Sequence, residues 1–223
     1  MFTPLNKPLK LPLMSLRKFV PLLIALSTVS VTGAFAQTAA PNTEFRITKV
    51  TPEFQDTPAA TGTYNKKTTR PQKWLEIEAT FDWQPRLKEP KYLDEVTVNY
   101  YILLNNKGLT KTDKEGTLLT GTVVHTDVGQ GRDLHSSIFI SPRTLERLFD
   151  GRAPTNPAQA IVDIAVTISQ GGQVVADYSL KSKGAWWTNP LYKPTPGIAL
   201  SKPNTPFANV AWDYFEPIKE KAQ

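Results

Sequence analysis

The densest group of residues able to do chemistry is HTDVGQGRDLH, running from His125 to His135. His125 and Asp127 mirror Asp133 and His135 about a glycine-containing turn, VGQG. If the flanking segments form a hairpin, side chains of like parity share one sheet face. Two imidazoles and two carboxylates would then offer a donor set for Zn²⁺ or Ca²⁺. The spacing matches no standard ligand pattern, however, and Val123 and Phe139 fall on the same face. A partly buried pair of ordinary histidines, or a hydrogen bond between Asp133 and His125, accounts for the same residues. That reading is preferred here, with no metal and no other cofactor expected.

Other routes to catalysis are sparse. The chain has two histidines, no cysteine and no G-x-S-x-G elbow, so few nucleophile and base pairs can be built. Glu76 and Glu78 lie two apart, on what should be the solvent face of a strand, where they are expected to act as solubilising charges. No enzymatic activity is expected. The C-terminal aromatics are the other conspicuous set: Trp186, Trp187, Tyr192, Phe207, Trp212, Tyr214 and Phe215. Neighbours in an extended segment point to opposite sides. One of Trp186 and Trp187 is therefore expected to close an end of the fold, and the other to anchor the returning tail or a partner. Tyr192, Trp212 and Tyr214 are further candidates for that anchoring.

These groups must be positioned by strands. KWLEIEATFDW sets Leu75, Ile77, Ala79, Phe81 and Trp83 on one face and polar residues on the other, the period of two of a half-buried strand. DEVTVNYYILLN repeats the pattern with Val96, Val98, Tyr100, Ile102 and Leu104 inward. Tyr101 and Leu103 make its second face only partly polar, which predicts a central strand covered at its far end. EFRITKV (Glu44–Val50), GTLLTGTVVHTDV, DLHSSIFIS, AIVDIAVTIS and QVVADYSLK complete seven strands, with Thr51–Gln72 read as a long connection. For the last pair, a three-residue loop, Gln170–Gly172, matches the apolar faces by setting Ile168 opposite Val174 and Val166 opposite Ala176. A two-residue turn would bring Asp177 opposite Val166. The longer loop is predicted, with Gly172 at positive φ.

One helix is expected in SPRTLERLFDG. Ser141 can cap it, Pro142 fits its first turn, Leu145, Leu148 and Phe149 form the apolar stripe, and Gly151 ends it. So short a helix cannot persist alone and should pack across one end of the sheets. Prolines at 190, 194, 196, 203 and 206 keep the tail extended over the surface, with NVAWDYF as a short edge strand. The sum is an all-β, antiparallel immunoglobulin-like sandwich of about seven strands with one short helix and an extended C-terminal tail.

The N-terminal residues are of a different kind. Lys7, Lys10, Arg17 and Lys18 precede the apolar FVPLLIAL, and AFA at Ala34–Ala36 supplies small residues before Gln37. Residues 1–36 therefore read as a secretory signal peptide, 37–43 as a disordered mature N-terminus, 44–187 as the sandwich and 188–223 as the proline-rich tail. Pro21 breaks the apolar run, which is shorter than the roughly 20 residues of a spanning helix, so no spanning segment is expected after cleavage. The chain carries 26 Lys and Arg against 20 Asp and Glu, but four of the basic residues lie in the leader, leaving 22 against 20. A balance so close to neutral gives no electrostatic footprint for nucleic acid. Export without cysteine leaves stability to a hydrophobic core, and points to the periplasm, outer membrane or surface of a Gram-negative bacterium.

With the leader ending AFAQ, the cysteine-free strands from Glu44 to Lys183, the inserted SPRTLERLF helix and the GAWWTNP tail, the chain resembles exported immunoglobulin-like proteins encoded with a verrucomicrobial type IV pilus-like system. The resemblance implies a non-enzymatic binding or structural protein of the cell surface, with pilus-like or outer-membrane components as protein partners. The absence of a prepilin leader argues against a polymerising pilin. A mucin-glycan-binding module and a periplasmic enzyme are the alternatives. The first needs an exposed aromatic pair, and the second a pocket in which His125 or His135 meets a carboxylate.

Overall fold

Alternating apolar residues do build the predicted two-layer sandwich. The structure, a computed structural model, describes residues 44–58, 71–86, 90–106 and 116–219. The proposed leader and the segment 37–43 lie outside the described residues. In chain order the strands are β1 (Phe45–Asp56), β2 (Lys73–Trp83), β3 (Tyr92–Leu104), β4 (Thr117–Gly129), β5 (Gly131–Ile140), β6 (Ile161–Gln170), β7 (Gln173–Ser179), β8 (Pro194–Thr195) and β9 (Leu200–Ser201). Helix α1 (Pro142–Leu148) follows β5, and a single helical turn, α2 (Pro157–Ala160), precedes β6. One sheet has the order β1-β2-β5-β9 and the other β7-β6-β3-β4-β8. The fourth strand thus joins the third, rather than the 1-2-5 sheet as in constant-type immunoglobulin domains.

The inward faces are those the period of two selects. Leu75, Ile77, Ala79, Phe81 and Trp83 face Val96, Val98, Tyr100, Ile102 and Leu104 across the core, all essentially inaccessible, with Ile164, Val166 and Ile168 beside them. At about 1.5–3 kcal/mol for each large apolar side chain fully buried, this layer is the dominant source of stability. Helix α1 is built as its sequence prescribes: the Ser141 hydroxyl accepts from the Thr144 amide, Pro142 opens it, and Leu145 and Leu148 are buried in the core. Gly121 lets the layers approach near β9. A Cβ there would lie 2.0 Å from the Ile138 Cδ1 and 3.2 Å from the Ala199 Cβ.

Three local expectations are corrected. First, β1 continues beyond Val50 to Asp56, because a bulge at Thr48 reverses the parity and because Pro52 lies on an edge strand, where a missing N–H is tolerated. Second, the β6–β7 loop has two residues, not three: Gln170 pairs with Gln173, and both Gly171 and Gly172 have positive φ, 56° and 79°. A bulge at Val175 then moves Asp177 opposite Thr167 and sets Tyr178 opposite Val166, so the charge stays out of the core without the longer loop. Third, NVAWDYF is not an edge strand. Residues 207–215 form successive turns, with Ala211 at φ 46°.

Candidate functional site

The histidine cluster is dispersed by topology. β4 and β5 are not a hairpin. They belong to different sheets, and Gln130 alone connects them. Asp127 and Asp133 flank this crossover in left-handed conformations, φ 52° and 55°, which aspartate tolerates better than most residues. Their side chains are exposed, and the Asp133 amide donates to Asp82 Oδ1 at 3.1 Å. Among the described residues no group of three or more His, Cys, Asp or Glu side chains could hold a metal ion.

His125 points between the sheets and is fully buried. Its Nδ1 lies 3.1 Å and 3.3 Å from the carbonyl oxygens of Glu216 and Pro217, and its Nε2 lies 2.8 Å from the Ser136 hydroxyl. Carbonyls only accept, so Nδ1 carries the proton and Nε2 accepts from Ser136. Burial pushes the imidazole pKa down, and the two carbonyls partly oppose this, so the ring is neutral. Its Nδ1 thus holds the segment at Glu216 and Pro217 in place, while its Nε2 ties β4 to β5 through Ser136. No bond to Asp133 forms.

His135 lies on the opposite, outer face of β5. Its Nδ1 donates to Glu78 Oε1 at 2.8 Å, and the Tyr214 hydroxyl donates to the same oxygen at 2.9 Å. The Tyr214 ring stacks on the imidazole at 3.9 Å between centroids. Partial burial and the Glu78 carboxylate push the Tyr214 pKa up to about 12. Glu76, next along β2, is only 8% exposed. Burial, with Glu78 as a like charge, raises its pKa to about 7. The expectation that Glu76 and Glu78 are solvated surface charges therefore fails. Parity assigned their face correctly, but the C-terminal arm covers it.

That arm is organised from its root. Asp163, buried in β6, accepts from the amides of Ile164 (2.8 Å), Lys181 (3.0 Å) and Ser182 (2.8 Å) and turns the chain off the edge of β7. A lone carboxylate within AIVDIAVTIS was the signal for such a clamp, because a buried charge needs partners. Next, Trp186–Thr188 forms a 3-10 turn, not an extended segment, and it places both indoles on the outer face of the five-stranded sheet. Trp187 stacks on Tyr101 at 5.6 Å, while Trp186 Nε1 donates to Ser179 at 2.8 Å and packs edge-on against Tyr192. Neither tryptophan closes an end of the core. Both are half-buried, and Trp187 is the cover that the apolar second face of β3 required.

From there β8 runs parallel to β4 at Leu118 and Leu119, and β9 runs antiparallel to β5 at Ile138 and Phe139. Phe207 stacks on Phe139 at 4.9 Å and meets Trp74 edge-on. The chain end then enters between β4 and β5: the Thr126 amide donates to the Pro217 carbonyl (3.0 Å) and the Lys219 amide to the Val124 carbonyl (2.8 Å). Where the arm folds over the outer face it leaves an open groove of about 510 Å³, with Lys202, Trp212, Asp213 and Phe215 among its walls. Trp212 is 75% exposed. Of the five aromatics expected to anchor tail or partner, Trp186, Trp187 and Tyr214 bind the arm to the sheets, Tyr192 braces Trp186, and Trp212 stands free at the groove. Lys202 carried no advance signal in SKPNTPF.

These features define a class: an immunoglobulin-like sandwich with no helix among the described residues long and apolar enough to cross a membrane, and with its arm folded back on itself. One protein-family model matches residues 36–222, and the chain belongs to that family. Among solved structures, a crystal structure of a protein from Akkermansia muciniphila is similar with a TM-score of 0.67 and 21% identity, over 80% of this chain and 94% of the other. That likeness shows the fold. No curated protein matches the chain.

Proposed function

We propose that this chain is an exported, non-enzymatic binding or structural protein that takes part in a type IV pilus-like assembly or in contact at the cell surface. One observation carries the reading: the groups that could have formed a catalytic centre are each engaged in holding the arm. His125 binds the chain terminus and Ser136, and His135 binds Glu78 beneath the Tyr214 ring. His135 does meet a carboxylate, as an enzyme would require, but Tyr214 lies over the pair, and the groove opens beside Lys202 and Trp212 instead. The leader AFAQ, the family membership and the fold shared with a verrucomicrobial protein support the exported, surface-associated context.

The test is affinity capture from cell envelopes with the tagged, processed chain. Pilus-like or outer-membrane components should be enriched over a control bait of similar size and charge. Their absence would overturn the assembly reading.

A further inference from the structure

The groove left by the arm contains a charge that packing does not satisfy. Lys202 follows β9 directly and is only 5% exposed. Among the described residues its ammonium makes one hydrogen bond, a long one of 3.5 Å to the Ala211 carbonyl, and no ion pair. It lies 4.6 Å from the centroid of Phe215. An ammonium has three N–H donors and no acceptor, and a buried one without partners is costly, so donors remain for a ligand oxygen. Burial lowers the Lys202 pKa, with Glu76 and Asp213 opposing at longer range.

The rim is built by strain. Ala211 is one of four non-glycine residues at positive φ among the described residues, a backbone state that costs on the order of 1 kcal/mol or more. It directs Trp212 into solvent at 75% exposure, with the exposed Asp213 beside it. Glu216 adds a second, half-buried carboxyl to the wall.

We propose that this groove binds a pyranose ring of a glycan. Trp212 stacks on the apolar C–H face of the sugar, Asp213 accepts from its hydroxyls, and Lys202 donates to hydroxyl or ring oxygens. The stacking platform is the single exposed Trp212 indole rather than the aromatic pair expected of a mucin-glycan module, since Trp186 and Trp187 are engaged with Ser179 and Tyr101. A pyranose combines an apolar face with a girdle of hydroxyls, which matches one exposed indole beside an ammonium donor and carboxylate acceptors. A phosphate or polyanion meets the Asp213 and Glu216 carboxyls, and a purely apolar segment leaves the Lys202 ammonium unanswered. The inference rests on the binding-protein reading and supplies a ligand class for it.

The test uses the processed chain with uncharged disaccharides (lactose, cellobiose and chitobiose) and a neutral-glycan array, followed through the tryptophan indole NMR signals. At least one glycan should move the Trp212 indole signal. Trp212→Ala should weaken that glycan at least tenfold while leaving Tm within about 2 °C, because the side chain is mostly exposed. Lys202→Met should weaken it as well, and Trp187→Phe should not. The proposal falls if no glycan moves the Trp212 signal, or if Trp212→Ala binds as the parent does. Envelope capture repeated with Trp212→Ala separates the two readings. A parent chain that captures partners but binds no glycan removes this inference alone, and one that binds glycan but captures no partner removes the assembly reading alone.

Discussion

The two long margins of the sandwich are finished in different ways. On one side the arm runs along both terminal strands: β8 covers β4 at Leu118 and Leu119, Pro217 and Lys219 bond the same strand at Thr126 and Val124, and β9 covers β5 at Ile138 and Phe139. On the other side β1 and β7 end their sheets with no strand beyond them among the described residues. There the protection is local. β1 carries Pro52, Lys49 and the bulge at Thr48, and β7 carries Asp177 and the bulge at Val175. Pro, charges and bulges are standard ways to discourage edge pairing. A margin protected residue by residue stays open to a partner, whereas one sealed by the arm opens only when the arm leaves.

Removing the seal should have the largest effect. Deletion of Gly184–Gln223 uncovers the β4 and β5 edges, Phe139, Trp74 and the Glu76–Glu78 face together. The truncated chain should aggregate, or melt at least about 10 °C lower by circular dichroism, since an exposed apolar edge promotes association. A soluble truncation with unchanged Tm would show the arm to be ornamental. Loosening the root comes next. Asp163→Ala leaves the Ile164, Lys181 and Ser182 amides without their acceptor, and should cost about 2–4 kcal/mol in urea unfolding.

The covered face also sets a pH dependence. Glu76 is raised from 4.5 to about 7 in the folded chain, so the native state binds more protons than the unfolded one between those values. Its contribution is complete below about pH 4.5 and is lost as pH rises through about 7. Glu76→Gln should therefore match the parent near pH 4.5 and exceed its stability at pH 8 by about 3 kcal/mol. Equal pH dependence in both chains would contradict the burial of this face. The smallest effect belongs to the open margin. Val174 is 38% exposed on β7, and Val174→Lys should change unfolding by less than about 0.5 kcal/mol. A larger loss would mean that this edge is covered after all.

Much of the layer structure was legible because burial imposes a period of two: β2, β3 and β6 have the inward faces their residues announce. Helix α1 was legible from Ser141 and Pro142. Bulges at Thr48 and Val175 were not, because one inserted residue reverses parity without any change in composition. The histidines were misplaced for a related reason. Parity across VGQG holds only for a hairpin, and here Gln130 carries the chain from one sheet to the other. Glu76 and Glu78 looked solvated because their cover arrives from Phe207 and Tyr214, more than 120 residues later. Trp186 and Trp187 were split between opposite sides by assuming an extended backbone, whereas a 3-10 turn turns both toward Tyr101 and Ser179.

Native-state hydrogen exchange on residues 37–223 addresses the sealed margin directly, through the amides of Thr126 and Lys219. Packing of the arm on its own domain predicts that both exchange slowly, in step with core amides of β3. Free exchange at these two positions, with the β3 amides still protected, would contradict it.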